Sequence, residues 1–249
     1  MDKSDKSQVL KSSGESTASP PGPVAAVIER MRTIRDGLDP RDGVACFNRM
    51  YLQVTELVGQ NLVEGFFEDG AFIERLDVIF AGLYFQNVDA VESGQQADPS
   101  WQPLFDARFN RVVWPIQFAF AGMNAHINHD LPLAVVATCK EFRKDPDTPP
   151  VHADYQRVNE LLAKVESEVR QSFEAKLVHL ATKDAEALKH IVGSWSITAA
   201  RDLAWNNTEM LWAQHNMSLL YNKSVASLAH TAGITGRMLV TPVVPPPPE

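Results

Sequence analysis

The segment Cys46–Phe66, CFNRMYLQVTELVGQNLVEGF, decides the fold class of this chain. Its apolar side chains recur at steps of three and four residues, which places them on one face of an α-helix. The same period returns in Phe72–Tyr84 and in Tyr155–Phe173. No stretch of useful length alternates between apolar and polar residues, as a half-buried strand would. The sequence therefore predicts an all-α fold.

Proline, glycine and aspartate separate the helical stretches, because these residues favour turns and interrupt helices. Turn residues are concentrated at 39–43, 93–103 and 145–150. Three further helices are expected, over Leu104 to about Asn128 with a kink at Pro115, over Asp130–Phe142, and over Gly193 to about Ala229, ending before Gly233. The pattern predicts a single-domain multi-helix bundle of about eight helices joined by mostly short loops.

Both ends of the chain differ in composition from the middle. Residues 1–22 are rich in Ser, Lys, Gly and Pro and hold too few apolar side chains to offset the entropy of ordering, so we expect a disordered tail. Residues 243–249 include the proline run Pro245–Pro248, which predicts an extended, proline-rich tail. The helical domain is then expected over residues 23–242.

Charge and hydropathy exclude several classes of function. The chain has a net charge of −8 and no basic stripe interleaved with aromatic residues, which disfavours nucleic-acid binding. Its longest apolar stretch, Val112–Val136, is interrupted by the polar residues between Asn124 and Asp130, so no membrane span is predicted. The first residues lack the apolar core of a secretory signal, and we expect a cytoplasmic protein.

The two cysteines and the common catalytic motifs point to no familiar mechanism. Cys46 and Cys139 each lie in an apolar run, outside any CxxC motif, and are expected to be reduced, buried thiols. The sequence contains no GxSxG, no P-loop, no GxGxxG after a strand and no HExxH. It also lacks the paired Glu and ExxH sequences of a di-iron helical bundle.

One segment, Gly122–Pro132 with the sequence GMNAHINHDLP, breaks the apolar pattern of its neighbours. Polar groups packed this densely after an apolar run are costly to bury unless they are paired. His126 and Asp130 are four residues apart, so a helix would place them on one face, a spacing that suits two ligands of one metal ion. Alternatively, Asp130 only caps a helix that begins at Leu131, and His126 is a hydrogen-bonded core residue.

Two other charged side chains stand among apolar neighbours. Asp77 lies on the stripe of Ile73, Phe80 and Tyr84, where a buried carboxylate needs a partner, a metal ion or a proton, although a solvated position at the edge of the stripe is the alternative. Arg201 lies between small and aromatic residues and can bind a carboxylate or phosphate through two parallel hydrogen bonds. It can equally pair with Asp77 or with Asp202 in a purely structural role. Glu56 resembles Asp77 in position but is the weaker candidate.

The GMNAHINHDLP segment resembles the hallmark of an uncharacterised, mainly actinobacterial family of helical proteins, a domain of unknown function. Three other stretches resemble the same family, namely DGVACFNRMY (42–51), LDVIFAGLYF (76–85) and ARDLAW (200–205). The resemblance covers roughly residues 24–242. It implies an all-α domain and supplies no activity, so no catalytic residue follows from it.

Two kinds of function fit these residues. In the first, the protein is an enzyme in which His126, Asp130 and Asp77 hold a divalent ion, zinc or else iron or manganese, that activates water. Arg201 then binds an anionic group of a small-molecule substrate. Three tryptophans would wall the pocket: Trp195, Trp205 and Trp212. Hydrolysis of an ester or phosphoester is the most natural reaction, and a redox-active ion would permit oxygen chemistry.

In the second kind of function, the polar cluster is a closed hydrogen-bond network that joins helices. The protein is then a non-catalytic scaffold, or it binds a small molecule without transforming it. Asp130 acting only as a cap, and Asp77 paired with Arg201, would favour this function.

Overall fold

The structure, a computed structural model, describes residues 22–177 and 196–243. Within these two ranges the chain forms nine α-helices and one π-helical turn, and no strand. The helices are α1 (Pro23–Gly37), α2 (Gly43–Val63), α3 (Gly70–Glu92), α4 (Gln102–Ala107), α5 (Pro115–Ala125), α6 (Leu131–Phe142), α7 (Val151–Leu177), α8 (Ile197–Gln214) and α9 (Ser218–Leu239). The prediction of an all-α multi-helix bundle is confirmed.

A continuous helical rod from Pro115 to Phe142 occupies the middle of the bundle. It consists of α5, the π-helical turn His126–Asp130 and α6, and it packs against α2, α3, α8 and α9. The predicted kink at Pro115 is wrong, because this proline is the first residue of α5, where its missing N–H would have had no intrahelical partner in any case. The residues before it form the short helix α4 and a loop rather than one helix that runs through the proline.

The predicted helix boundary between Asn128 and Asp130 is also wrong. Asp130 has helical dihedral angles, with φ −74° and ψ −37°, and its side chain makes no capping hydrogen bond to α6. The helix passes through this point by widening into a π-helical turn instead of ending. Asp130 is therefore not a helix cap, and its carboxylate is available for other partners.

The helix predicted over 193–229 is in fact two helices, α8 and α9, separated by a break at His215–Met217. The predicted stop before Gly233 is wrong, because α9 continues to Leu239. A Cβ atom at Gly233 would lie 2.3 Å from the carbonyl oxygen of Pro99. The glycine thus permits close contact between α9 and the 93–101 loop.

The two cysteines lie in the core, as the sequence predicts. Cys46 and Cys139 are free, buried thiols. None of the helices in the two described ranges combines the length and the apolar character needed to cross a membrane. The predicted tails, apart from Gly22 and Val243 at their inner ends, and Trp195 lie outside the described residues.

Helices α2 and α5 approach each other closely at Gly122. A Cβ atom there would lie 2.4 Å from the ring of Phe47, which is 1% exposed. The ring cannot easily move away, because it packs edge-on against Trp101 and Tyr84 with ring centroids 5.1 Å apart in both cases. This contact positions the helical rod, and with it the π-helical turn, against α2.

Replacement of Gly122 by alanine should destabilise the protein by about 1–3 kcal/mol, since the added methyl group overpacks the contact with Phe47. The matched control is Gly82→Ala in α3, where a Cβ atom meets nothing within 4 Å. That variant should gain about 0.5–1 kcal/mol, because alanine favours the helix over glycine. Urea unfolding of both variants measures the difference, and equal effects of the two substitutions would contradict the packing argument.

Candidate functional site

The π-helical turn His126–Asp130 places several polar side chains in the interior of the bundle. The N–H of Leu131 donates to the carbonyl of His126, five residues back, as a π-turn requires. His126, His129 and Asp130 are all buried. The side-chain amide of Asn128 donates to the side-chain oxygen of Asn124, four residues earlier, at 3.1 Å. Turns of this kind inside α-helices occur frequently at functional sites.

The carboxylate of Asp130 is the centre of this cluster. Its Oδ2 accepts the indole N–H of Trp101 at 2.9 Å and lies 3.0 Å from Nδ1 of His126. Its Oδ1 lies 2.8 Å from Nδ1 of His129. Burial raises the pKa of a carboxyl group, but the hydrogen bonds from the two imidazoles outweigh burial, and the pKa of Asp130 is lowered. Asp130 is therefore a buried anion with three donors.

The ring of His126 has one defined tautomer as a result. A carboxylate only accepts hydrogen bonds, so Nδ1 of His126 carries the hydrogen and Nε2 carries the lone pair. Burial lowers the pKa of His126 despite the nearby carboxylate, which keeps the ring neutral. Phe80 stacks on the ring at 3.4 Å between centroids, and Tyr51 lies edge-on at 4.4 Å. Nε2 is buried and has no hydrogen-bond partner among the described residues.

His129 contacts the other oxygen of the same carboxylate, and its pKa shifts in the opposite direction from that of His126. Its Nδ1 lies 3.2 Å from the hydroxyl of Ser100 and 3.8 Å from Asp98, which is partly exposed. Burial alone would lower the pKa of His129, but the hydrogen bond and the charge of Asp130 outweigh it and raise the pKa. Of the two histidines that contact Asp130, His129 is therefore protonated more readily than His126.

A partly enclosed pocket with a cavity volume of about 80 Å³ adjoins the ring of His126. Its walls come from α2, α3, α5, the π-helical turn, α6, α7 and α8, and most of the lining side chains are apolar. The polar groups in the lining are few: Tyr51, Asp77, His126 and Arg201. An apolar cleft with a small number of convergent polar groups is the usual form of a small-molecule site.

Asp77 is unusual among the buried carboxylates of this protein. Asp42 accepts from Arg108 at 2.6 Å, and Asp154 accepts two backbone N–H groups and Arg157 at 2.6 Å. Asp77 is 9% exposed and makes no hydrogen bond to any described residue. Burial raises its pKa from 3.8 to about 7. The side chain is therefore not at a solvated edge, and it is largely protonated up to neutral pH.

The hydroxyl of Tyr51 is a second unpaired group in the pocket wall. It is buried and lacks a hydrogen-bond partner within the described parts of the chain. Burial first, and then the charges of Asp77 and Asp130, raise its pKa well above the ordinary value. The phenol therefore stays neutral and keeps a hydrogen to donate.

Arg201 enters the pocket from α8. Its Nε donates to the side-chain oxygen of Asn159 at 2.6 Å, and its Nη2 donates to the backbone carbonyl of Tyr155 at 2.7 Å. The guanidinium also lies over the ring of Tyr155, 4.1 Å from the centroid. It forms no ion pair with Asp77 or with Asp202, the two partners considered from the sequence, in the residues that the structure describes.

The structure thus brings Asp77, His126 and Arg201 to one pocket and places Asp130 behind His126. In residues 22–177 and 196–243, no three His, Cys, Asp or Glu side chains lie together in a way that could hold a metal ion. The metal site expected from His126, Asp130 and Asp77 therefore stays a prediction. Glu56 is in an ion pair with Arg32 at 2.8 Å and lies outside the pocket lining.

The tryptophans expected to wall the pocket have other roles. Trp205 stacks on His152, and Trp212 stacks on His215; neither lines the pocket. Sequence reasoning missed Trp101, whose indole N–H helps to hold Asp130, and the hydroxyl of Tyr51. The one signal for Tyr51 in the sequence is a polar atom on the apolar stripe of α2, and many core tyrosines share that signal.

Comparison with known proteins identifies the family and leaves the reaction open. A model for a family of unknown function, DUF5995, matches residues 24–242, so the chain belongs to that family. Neither a curated protein nor a solved structure matches the chain.

Replacement of Asp77 by asparagine should remove part of the pH dependence of stability. The folded-state pKa of Asp77 is about 7, raised from 3.8. The contribution of this carboxyl group to the stability of the wild type is therefore fully present below about pH 4, and it is lost as the pH rises through 7. The loss is on the order of 4 kcal/mol. Thermal unfolding at about pH 5 and about pH 8 should show that Asp77→Asn gains on the wild type at the higher pH.

The exposed Asp147, on the loop before α7, supplies the matched control, because Asp147→Asn removes a carboxylate that solvent already stabilises. Its difference from the wild type should be the same at both pH values. A parallel response of Asp77→Asn and Asp147→Asn would show that Asp77 is not held in a desolvated position.

Proposed function

We propose that this protein is a hydrolase that cleaves a carboxylic ester of a small, mainly apolar molecule in the pocket beside His126. His126 acts as general base, with Asp130 as its positioning residue. Tyr51 and Asp77 stabilise the charge that develops on the carbonyl oxygen. The observation that carries the proposal is that three residues lining one apolar pocket each have a buried polar atom without a partner among the described residues: Nε2 of His126, the hydroxyl of Tyr51 and Oδ2 of Asp77.

These three atoms are costly to the folded protein. A buried polar group without a partner costs about 1–3 kcal/mol, and most proteins avoid it. Six buried side-chain atoms in the described residues lack partners, and three of them belong to residues that line this pocket. A ligand with complementary polar atoms would satisfy all three, which is why we assign them to binding and catalysis.

The chemical character of the three groups suits attack on a carbonyl. A neutral imidazole with a free Nε2 can accept a proton, and burial lowers the pKa of His126 so that the ring is neutral before the reaction. The phenol of Tyr51 and the protonated carboxyl of Asp77 are neutral O–H donors in a desolvated site, where a hydrogen bond to an oxyanion is much stronger than in water. The pocket thus contains one base and two donors.

The reaction balances with these groups alone. Nε2 of His126 takes a proton from a water molecule while the water oxygen forms a bond to the acyl carbon. The electron pair of the C=O bond moves to oxygen, which Tyr51 and Asp77 hold by hydrogen bonds. As the intermediate collapses, the bond to the alcohol oxygen breaks, and the imidazolium returns its proton to that leaving group. The products are the acid and the alcohol.

Asp130 and Phe80 act on His126 rather than on the substrate. The carboxylate holds the hydrogen on Nδ1 and stabilises the imidazolium that forms during the reaction. The stacked ring of Phe80 keeps the imidazole plane in place. Of the two ester classes expected from the sequence, this pocket favours carboxylic esters, because a phosphoester would bring more negative charge close to the carboxylate of Asp130 than Arg201 alone can compensate.

We expect the wild-type protein to hydrolyse p-nitrophenyl esters of apolar acids such as hexanoic acid with saturable kinetics. His126→Asn should lower kcat by about 100-fold or more, since general-base catalysis typically contributes that much. Tyr51→Phe should lower kcat by a similar order, as the loss of an oxyanion donor does. Both variants should keep KM within a few-fold of the wild type. Spectrophotometric release of p-nitrophenol measures the rates, and thermal unfolding shows that each variant is folded.

The exposed His230 provides the matched control. A surface imidazole can hydrolyse activated esters without any binding site, and His230→Asn removes such an imidazole. Activity that survives His126→Asn, or falls equally with His230→Asn, would contradict the proposal. Elemental analysis of protein purified without chelator tests the alternative in which a metal ion activates the water. A stoichiometric ion that is lost with His126→Asn would replace the metal-free mechanism.

A further inference from the structure

Arg201 is a buried cation that forms no ion pair with a carboxylate of the described residues, although the charge of the neighbouring Asp202 acts on it. It is 5% exposed and lines the pocket. Two other arginines that reach buried positions each meet a carboxylate, Arg108 on Asp42 and Arg157 on Asp154, both at 2.6 Å. Burial of a charge is expensive unless an opposite charge accompanies it. The guanidinium of Arg201 therefore lacks the partner that the other two have.

The contacts of Arg201 fix its orientation and leave donors free. Its Nε and one Nη2 hydrogen are used by Asn159 and by the carbonyl of Tyr155. The hydroxyl of Tyr155 donates in turn to the carbonyl of Arg201 at 2.7 Å, so α7 and α8 hold each other at this point. A guanidinium has five N–H donors, and three remain after these two bonds. Both hydrogens on Nη1 are among the three, because no described residue accepts a hydrogen bond from Nη1.

The other polar residues that line the pocket with Arg201 are Tyr51, Asp77 and His126. Asp77 lines the same pocket but forms no ion pair with Arg201. The rest of the lining is apolar and includes Met50, Val54, Leu76, Val158 and Leu162. A ligand that matches this lining is mainly apolar and carries a negative group that meets Arg201.

We propose that Arg201 binds the carboxylate of an apolar organic acid inside this pocket. The planar fork of a guanidinium matches a carboxylate through two parallel hydrogen bonds, and one charge on each side leaves the buried pair neutral. Resting on the proposed function, the substrate class follows: the ester cleaved at His126 carries a free carboxylate as well, as a half-ester of a dicarboxylic acid does. A phosphate group at Arg201 would leave an excess negative charge in the apolar wall.

The test compares ligands that have the same number of carbon atoms and differ in the terminal group. Isothermal titration of the full-length protein with octanoate, octanamide and octyl phosphate measures the preference. Octanoate should bind at least about tenfold more tightly than octanamide and more tightly than octyl phosphate, because a hydrogen-bonded charge pair contributes at least that factor. Equal binding of octanoate and octanamide, tighter binding of octyl phosphate, or no binding of octanoate would overturn the proposal.

Substitution of Arg201 assigns the preference to this residue. Arg201→Gln should bind octanoate and octanamide equally, whereas Arg201→Lys should keep a reduced preference because it retains the charge without the fork. The exposed Arg30 gives the control variant Arg30→Gln, which should behave as the wild type. A full preference in Arg201→Gln would overturn the assignment. If Arg201→Gln does not fold, the reduced preference of Arg201→Lys carries the test, and an unreduced preference there overturns it.

The result is independent of the proposed hydrolysis. His126→Asn should abolish ester cleavage and leave the preference for octanoate unchanged. Preference for octanoate in a protein that cleaves no ester would support the carboxylate site and reject the hydrolase. Hydrolysis with no dependence on a carboxylate in the substrate would do the reverse.

Discussion

The hydrogen bonds of one buried carboxylate, Asp130, organise the centre of this molecule. Asp130 accepts from Trp101 at the start of α4 and from two imidazoles of its own π-helical turn. A buried carboxylate with three donors stays ionised, and removing any donor would leave an uncompensated charge in the core. The loop before α4, the helical rod and the orientation of His126 are therefore coupled to one another through Asp130.

This coupling separates two kinds of polar group in the interior. Asp130, Asp42 and Asp154 are satisfied by protein donors and contribute to the architecture. Polar atoms of residues that line the pocket, on His126 and Asp77 among others, have no partner in the described parts of the protein. Folded proteins are only marginally stable, so we infer that these unpaired polar atoms are retained because the function needs them. Replacing them with apolar groups should stabilise the fold and impair that function.

Most of the fold was predictable because the helical period does not depend on tertiary contacts. The spacing along α2 and α3 predicts their helices, and the dense polar cluster at Asn124–Asp130 marks the site in the sequence alone. The π-helical turn was not predictable, because the choice between an α-turn and a π-turn depends on the partners of Asp130 and not on its neighbours in sequence. The break at His215–Met217 was missed for a simpler reason, since it contains neither glycine nor proline.

The residues of the site could be identified from the sequence, but their roles could not. Asp77, His126, Asp130 and Arg201 each stand out as polar groups among apolar ones, but spacing four apart made His126 and Asp130 look like two ligands of one ion. In the structure they contact each other directly, and a side chain from a distant loop, Trp101, completes the arrangement. Contacts between elements far apart in sequence decide such roles, and one sequence does not contain them.

The claim that His126 is a neutral base with a free Nε2 is tested most directly by determining the protonation state of its ring. Two-dimensional nuclear magnetic resonance of protein with nitrogen-15-labelled histidines reports which ring nitrogen carries a hydrogen. At neutral pH, His126 should be a neutral ring with its hydrogen on Nδ1 and none on Nε2, and Asp130→Asn should abolish this preference. A hydrogen on Nε2 of wild-type His126, either in the other neutral tautomer or in the doubly protonated ring, would contradict the account, because the pocket would then contain no base.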